Sequence, residues 1–565
     1  MIKSVFSQPF RCNYIKYAKM KKYLSILILP LLFSSCSDFN QAESTINTED
    51  MTRIVKEFAS DKFQGRKPFT EGEEKAVAFL EREYKRIGLE PANNGSYIQE
   101  VPLVEVTNVP DKRMKVKMWN AAIELSYKDD FLAFSRHLVD EISVRNSDMV
   151  FAGYGIVAPE YSWNDYEGIN VKDKTVIVLV NDPGFKSNDE NFFKGKEMTY
   201  YGRWTYKYEE AARQGAKAIL IIHEAEAAGY PWTVVVNGAV IPKLYLQPDD
   251  NYKSMCEIEG WLTKNAANDM LSLAGYNLED LKKQARQPDF KAFRLRSRFN
   301  LNINSTHKFA TSKNVIGILP GKERKDEVIV YSSHWDHLGV GAPLSGDSIY
   351  NGAVDNGTST AWMLEIAEAF ANLKKPLPRT IMFLSPTAEE TGLLGSSYYV
   401  SNPLFPLNKT VANINNDLML PYGPYKDIMI TGYGQSELED YVEKIAPKYN
   451  RYILPDPNPQ TGMYYRADHF SFARAGVPSL FARGNCDHRQ HGREWAAKKE
   501  KQWINNNYHK PTDEYDPATW TFEGIVDDAK LLFRVGYELS TSDKFPRWKD
   551  SSEFKEVRKM QIGIE

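Results

Sequence analysis

Cysteine is scarce, with only Cys12, Cys36, Cys256 and Cys486 in 565 residues. No two form a Cys-x-x-Cys pair, which excludes a thiolate zinc site and argues against a disulfide framework. Whether Cys256 and Cys486 bond to each other stays open at this stage. An excess of either charge is also missing. The 71 basic and 74 acidic residues leave a formal net charge of −3, which gives no electrostatic footprint for nucleic acid and sets that partner aside. No apolar run reaches the ~20 residues that a membrane-spanning helix needs. Internal repeats and low-complexity tracts are absent as well, which excludes a repeat architecture.

What is present is ordinary for a globular protein: 42% hydrophobic and 26% charged residues. The length exceeds what one hydrophobic core usually serves, so the chain holds more than one domain or one domain with a large insertion. Most of the 32 Tyr and 28 Phe are expected in packing. The run from Tyr23 to Phe33 (YLSILILPLLF) follows Met20-Lys21-Lys22 and reads as the apolar part of an export signal. Residues 1–19 lack signal logic, so Met20 is the expected start. The run ends in Phe33-Ser34-Ser35-Cys36. Small residues ahead of a cysteine resemble a bacterial lipobox, with Phe33 standing where an aliphatic residue is usual. That resemblance implies a signal over 20–36, lipidation of Cys36, and export to the cell envelope at its periplasmic or outer-membrane face. The membrane contact would be the N-terminal lipid alone.

Past a polar stretch, Met51 to Leu89 has apolar residues at helical spacing and ends at Gly88, which predicts helices. A β-rich region begins near Val101, with strands expected at Lys115–Trp119 and Thr175–Val180. It contains a predicted helix from Tyr208 to Gly215 leading into a buried strand, Ala216–Ile222. Phe151-Ala152-Gly153-Tyr154-Gly155, Asp165 to Ile169, and Lys207 to His223 make this region resemble a protease-associated domain, a module that shapes peptidase clefts without chemistry of its own. From Asn314 strands alternate with helices: Val315–Leu319, Val328–Ser332 and Thr380–Leu384 as strands, Ser359–Leu373 as an amphipathic helix. Such alternation predicts an α/β sheet with functional groups at strand ends.

Five segments there place carboxylates or imidazoles after an apolar strand or in a Gly/Asn-rich loop. They are His334-Trp335-Asp336-His337, Gly352-Ala353-Val354-Asp355-Asn356, Ala388-Glu389-Glu390-Thr391-Gly392, Asn415-Asn416-Asp417, and Tyr508-His509. Nitrogen and oxygen donors without sulfur suit zinc or manganese. The order HxDH, GAxDN, EExG, NxD and late His resembles the co-catalytic di-zinc peptidases, a family that includes bacterial aminopeptidases, glutamate carboxypeptidases and glutaminyl cyclases. Arg466-Ala467-Asp468-His469 through Pro478 resembles the family's SDH-to-Pro stretch, with Ala467 in place of Ser.

The resemblance implies an α/β fold: a mixed-sheet zinc-peptidase domain, helices on both faces, carrying the β-rich insertion. The expected segments are 45–110 and 296–545 for the peptidase and 111–295 for the insertion. It also implies two Zn2+ per chain. One would take His334, Asp417 and an oxygen of Asp355; the other Glu390, His509 and the second oxygen of Asp355. A bridging carboxylate of this kind holds two ions ~3.5–4 Å apart. Asp336 would accept the other ring N–H of His334, and Glu389 would be the general base. His337 is expected to bond within its loop, His469 to pack or orient a wall, and Asp513 and Asp516 to hold the loop after His509. Cys486 to His491 is weighed as a third metal site and set aside.

The implied activity is release of the N-terminal residue from peptide substrates. A glutamate-type carboxypeptidase is the alternative, with Arg203 and Arg213 as candidate substrate groups. Glutaminyl cyclase ranks below it, because a cyclase binds one zinc and has no such insertion. A receptor-like relative without metals is disfavoured, because every ligand position is filled.

Overall fold

The computed structural model describes residues 38–239 and 241–563. The signal at 20–36 and the expected lipidation site Cys36 lie outside the described residues. No described helix is long and apolar enough to cross a membrane.

Helix α1 (Thr48–Phe58) starts at Asn47, whose side chain accepts the N–H groups of Glu49 and Asp50, satisfying donors that a helix start leaves free. Helix α2 (Glu71–Ile87) is capped by Thr70 and stops at Gly88, in the left-handed region at φ 89°. Strand β1 (Ile98–Pro110) then leaves the expected peptidase unit. It pairs antiparallel with β6 (Phe293–Leu319) from Ile98↔Val315 to Pro110↔Ile303. β1 ends at the boundary expected at 110, and β6 alone runs across the one expected at 295.

Between the two rails lies a middle unit with cores of its own. Its parallel strands β3 (Thr175–Leu179), β4 (Ala218–His223) and β5 (Ile258–Thr263) are side by side in the order β3-β4-β5. β2 (Glu141–Phe151) joins β3 and also runs antiparallel to β6. Helix α3 (Trp204–Arg213) begins four residues before the sequence pattern suggests.

In the peptidase unit, β7 (Arg324–Ser332) is central, parallel to β8 (Arg379–Ser385) on one side and β9 (Thr410–Asn415) on the other. β9 pairs parallel with β11 (Ser479–Arg483), and β10 (Asp427–Ile430) joins β11 antiparallel. The end of β6 closes the other side antiparallel to β8. Helices cover both faces. One core gathers α1, α2, α4 (Ser359–Ala371) and α5 (Glu523–Thr541); a second holds Tyr399 and Phe472 against Val328, Val330 and Met382.

Helix α4 corrects the amphipathic expectation. Apart from Glu368 and Ala371, all of its residues are buried, because it is enclosed by the sheet, α1 and α5. A helix covered all round shows no polar stripe. Cys256 and Cys486 are both free, so the pairing left open by the sequence does not form.

Candidate functional site

Three parallel strands end at the site. His334 follows β7, Glu389 and Glu390 follow β8, and Asp417 follows β9. Asp355 comes from the loop ahead of α4, and His509 from the segment before α5. This is the carboxyl edge of the parallel strands, where α/β sheets place ligands.

Asp355 stands between two groups. Its Oδ1 lies 3.5 Å from His334 Nε2, which is also 3.3 Å from Asp417 Oδ1. Its Oδ2 lies 3.3 Å from His509 Nε2, which is 3.0 Å from Glu390 Oε2. Glu389 Oε2 is 3.8 Å from His334 Nε2. Ligating atoms of His334, Asp355 and Asp417 converge within 4.8 Å of one another, and so do those of His337, Asp355 and Glu390. All five expected ligand residues and Glu389 are therefore brought together.

The electrostatics follow from that crowding. Burial opposes a charge on His334, but Glu389 and Asp417 outweigh it and raise its pKa well above the ordinary value. His509 is raised likewise by Glu390 and Asp355. The two neighbouring glutamates are pushed apart. Burial, reinforced by Asp417 and Asp468, lifts Glu389 well above the usual range. Glu390 is held well below it, because His509 and His337 outweigh the cost of burial. Adjacent carboxyls driven in opposite directions suit different tasks, one to carry a proton and one to stay charged.

Asp336 corrects the sequence reading. His334 Nδ1 meets the backbone carbonyl of Asp336 at 3.1 Å, while the Asp336 carboxylate is 3.7 Å away. That carboxylate instead accepts the N–H of Glu389 at 3.0 Å and of Glu390 at 3.4 Å. It sets the glutamate loop, and the peptide carbonyl sets the histidine. His337 departs from its expected role too: rather than bonding within its loop, its Nδ1 lies 2.6 Å from Glu390 Oε1. Its ring fits only because residue 352 is Gly, where a Cβ would come within 2.6 Å of the imidazole.

Asp513 accepts the N–H groups of Val354 and Asp355 at 3.0–3.2 Å, fastening the Asp355 loop to the His509 segment. Asp516 serves only its own turn, through Ala518 and Thr519. His469 packs between Tyr464 and Phe481, with its pKa pushed down to about 3 by burial. His488 spends Nδ1 on the N–H groups of Gln490 and His491 and Nε2 on the Tyr422 carbonyl, which leaves no ring nitrogen for a metal.

Arg66 was not singled out in the sequence. Fully buried, it donates to the carbonyls of Trp335, Asn351 and Gly352 at 2.6–2.9 Å and to Phe58 at 3.1 Å, tying the His334 and Asp355 loops together. An arginine bonded only to carbonyls leaves no trace in a sequence pattern. Asp468 was seen only as part of a motif; it is buried, its pKa is pushed up to about 6 by burial, and its charge reaches Glu389.

Beside Glu390 opens a cavity of about 760 Å3 between the two units, walled by Trp204, Tyr230 and Trp261 from the middle unit and by Leu420, Met429 and Trp503 from the peptidase unit.

Sequence comparison places these features among known proteins. Aminopeptidase NAALADL1 of Mus musculus is 34% identical over 127 residues, 22% of this chain and 16% of that protein. Aminopeptidase YwaD of Bacillus subtilis (strain 168) is 39% identical over 111 residues, 19% of this chain and 22% of that one. A probable glutamate carboxypeptidase of Arthroderma benhamiae is 30% identical over 257 residues, 41% and 31% of the two chains. The chain thus spans under a third of the length of each of these relatives. Among solved structures, an aminopeptidase from Aneurinibacillus sp. strain AM-1 superposes with a TM-score of 0.47 at 17% identity, over 90% of this chain and 97% of that one. The pattern that defines Peptidase family M28 matches residues 314–533. That stretch contains His334, Asp355, Glu389, Glu390, Asp417 and His509.

Proposed function

We propose that the chain is a zinc-dependent exopeptidase of the aminopeptidase type, in which His334, Asp417, His509, Glu390 and Asp355 would hold two zinc ions. The observation that carries this reading is the division of Asp355 between two donor groups, His334 with Asp417 and His509 with Glu390, each at 3.0–3.5 Å. The donor set fits zinc: imidazoles and carboxylates converge, and among the described residues no backbone N–H occupies the carboxylate oxygens of Asp355, Glu389, Glu390 or Asp417. Three protein donors per ion is the ligand count of a catalytic zinc site. Two such ions supply Lewis acidity, lowering the pKa of water and polarising a carbonyl.

The chain's own groups do the rest. Glu389, whose pKa burial raises, takes a proton from the attacking water and delivers it to the leaving amine. Glu390, kept charged by His509 and His337, stays a donor throughout. Asp336 fixes the backbone of both glutamates, so that neighbouring side chains keep separate directions. The middle unit, read as a protease-associated insertion, supplies one wall of the cavity and so limits the shape of the peptide.

Two parts of this reading rest on sequence alone. One is export with lipid attachment at Cys36, which predicts that Cys36→Ala stays unprocessed or leaves the membrane fraction; unchanged membrane association refutes it. The other is the end of the peptide that is cut. The carboxypeptidase alternative drew on Arg203 and Arg213. Of these Arg213 pairs with Glu210 at 2.7 Å, and only Arg203 lines the cavity. Release of the first residue from aminoacyl-nitroanilides, without release of the last from N-blocked peptides, is the expected result. The reverse pattern overturns the aminopeptidase assignment while leaving the metal centre standing.

A further inference from the structure

Buried carboxylates such as Glu259 and Asp528 serve one unit only. Glu259 meets Arg136 at 2.8 Å inside the middle unit, and Asp528 meets Arg451 at 2.8 Å inside the unit that bears the candidate site. Glu553 departs from this pattern. It precedes the C-terminal helix Lys555–Ile562, beyond the matched stretch 314–533, and its side chain is 4% exposed. Its Oε2 accepts the Lys194 amine at 2.9 Å. Its Oε1 accepts the Tyr200 N–H at 3.3 Å and the Tyr465 hydroxyl at 2.9 Å. Lys194 and Tyr200 come from the middle unit and Tyr465 from the site-bearing unit, so one carboxylate is bonded from both sides of the seam. Burial opposes its charge, but Lys194 above all outweighs that cost and holds the pKa below the usual range. Glu197 stands farther from the amine, at 3.9 Å.

The residues that Glu553 joins sit next to the cavity walls. Trp204, just past Tyr200 in sequence, lines the cavity from the middle unit. Met463 and Arg466, to either side of Tyr465 in sequence, line it from the other. Around the carboxylate the seam is largely aromatic, with the Tyr200 ring against Tyr465, Phe470 and Phe554. A charged hydrogen bond is strong in such surroundings, and pulling the walls apart would leave Glu553 and Lys194 buried without partners. Arg474 reaches Glu209 across the same seam at 2.8 Å.

We propose that Glu553 is a positioning residue for substrate binding: by joining Lys194 and Tyr200 to Tyr465, it fixes the width of the cavity between the Trp204 wall and the Met463 wall. Walls held in place before a ligand arrives spare binding the cost of ordering them. The bonds of Glu553 reach neither the proposed zinc ligands nor Glu389. It therefore governs how tightly a peptide is held and leaves proton transfer alone. The inference rests on the peptidase reading for the identity of what is bound.

The test uses the zinc-loaded full chain with an aminoacyl-nitroanilide, and hydrogen exchange of residues 194–204 and 459–466 as a readout independent of turnover. Glu553→Gln is expected to raise KM by ~10-fold, the worth of one charge-assisted bond, with kcat within ~2-fold and zinc content unchanged. Exchange in both segments should rise by a similar factor. Glu553→Asp keeps a carboxylate and is expected to recover part of the loss. If Glu553→Gln does not fold, Tyr465→Phe takes its place. There the ring stays and one bond is lost, so both readouts move the same way by a smaller factor. Arg547→Gln is the control: it lies on the same C-terminal segment but pairs inside the site-bearing unit, with Glu437 at 2.7 Å, and should leave both readouts at wild type. A change in one readout without the other overturns the proposal. So does a fall in kcat at constant KM, a rise in exchange spread over the whole chain, or an effect no larger than that of Arg547→Gln. If the wild type cuts no peptide, exchange decides alone. A rise confined to the two segments then upholds the clamp while the peptidase reading fails, and no rise overturns the clamp.

Discussion

The two units both gather buried carboxylates near strand ends, and they use them in opposite ways. In the middle unit, Asp165 accepts the N–H groups of Tyr154 and Ile156 and the indole N–H of Trp163 at 3.0–3.1 Å. Asp182 accepts Gly184 N–H together with the N–H and hydroxyl of Thr199 at 2.7–3.0 Å. Lys207, whose amine meets the Asn181 carbonyl at 2.7 Å, supplies the nearby positive charge. In the peptidase unit the oxygens of Asp355, Glu390 and Asp417 meet imidazole nitrogens instead. A buried carboxylate whose oxygens are spent on N–H groups fastens a fold. Carboxylates whose oxygens converge on one another ask for a cation. The number of acids is not diagnostic; what matters is where their lone pairs point.

Four substitutions probe that distinction. Glu390→Ala has the largest expected effect: zinc content falls by elemental analysis and activity falls with it, partly restored by excess zinc. Full metal content in this variant would overturn the proposed role of Glu390 as a ligand. Glu389→Gln is next. It is expected to keep its metal content and lower kcat by ~10²–10⁴-fold with little change in KM, because the lost proton transfer belongs to the transition state. Loss of metal, or near-normal kcat, would show that the two glutamates have been given the wrong roles.

Asp182→Ala, in the middle unit, should leave zinc content unchanged and cost about 1–3 kcal/mol of stability, because Gly184 and Thr199 are left with unmet donors; denaturant unfolding measures it. A drop in bound zinc there would erase the contrast between the units. The smallest effect is expected at Glu365, a carboxyl on α4 outside the site that accepts Asn47 N–H at 2.9 Å. Burial pushes its pKa up to about 8. The folded state therefore holds this proton more tightly than the unfolded chain, so the group's contribution is full below about pH 4 and is lost as pH rises toward 8. Glu365→Gln should raise Tm by about 2–4 °C at pH 8 and by less at pH 5. An equal shift at both pH values would mean that packing, not ionisation, governs the position.

The cluster of candidate ligands was legible because its residues sit where strands end. β-branched runs such as Val328–Ser332 announce themselves, and a charged residue directly after one has few roles other than function. The same local logic failed for Asp336 and His337. Their partners, the N–H groups and side chain of the 389–390 loop, come from the neighbouring strand, so nothing within four residues reveals them. The burial of α4 was hidden for a related reason: the polar letters Ser359, Thr360 and Glu365 suggest a wet face, while α1 and Asn47 cover it from far away in sequence. The continuous β6 was missed because Lys308 to Asn314 reads as polar and loop-like, though its backbone is paired throughout with β1.

The ribbon of β1 and β6 also sets an order of assembly. Pairing Ile98 with Val315 closes the entire middle unit into a loop, and that closure costs least entropy once the intervening chain is already compact. β6 then supplies the strand that borders β8. The sheet whose strand ends carry His334, Glu390 and Asp417 is therefore expected to gain this strand only after the unit bearing Trp204 and Tyr230 has collapsed, so that the proposed site forms already roofed.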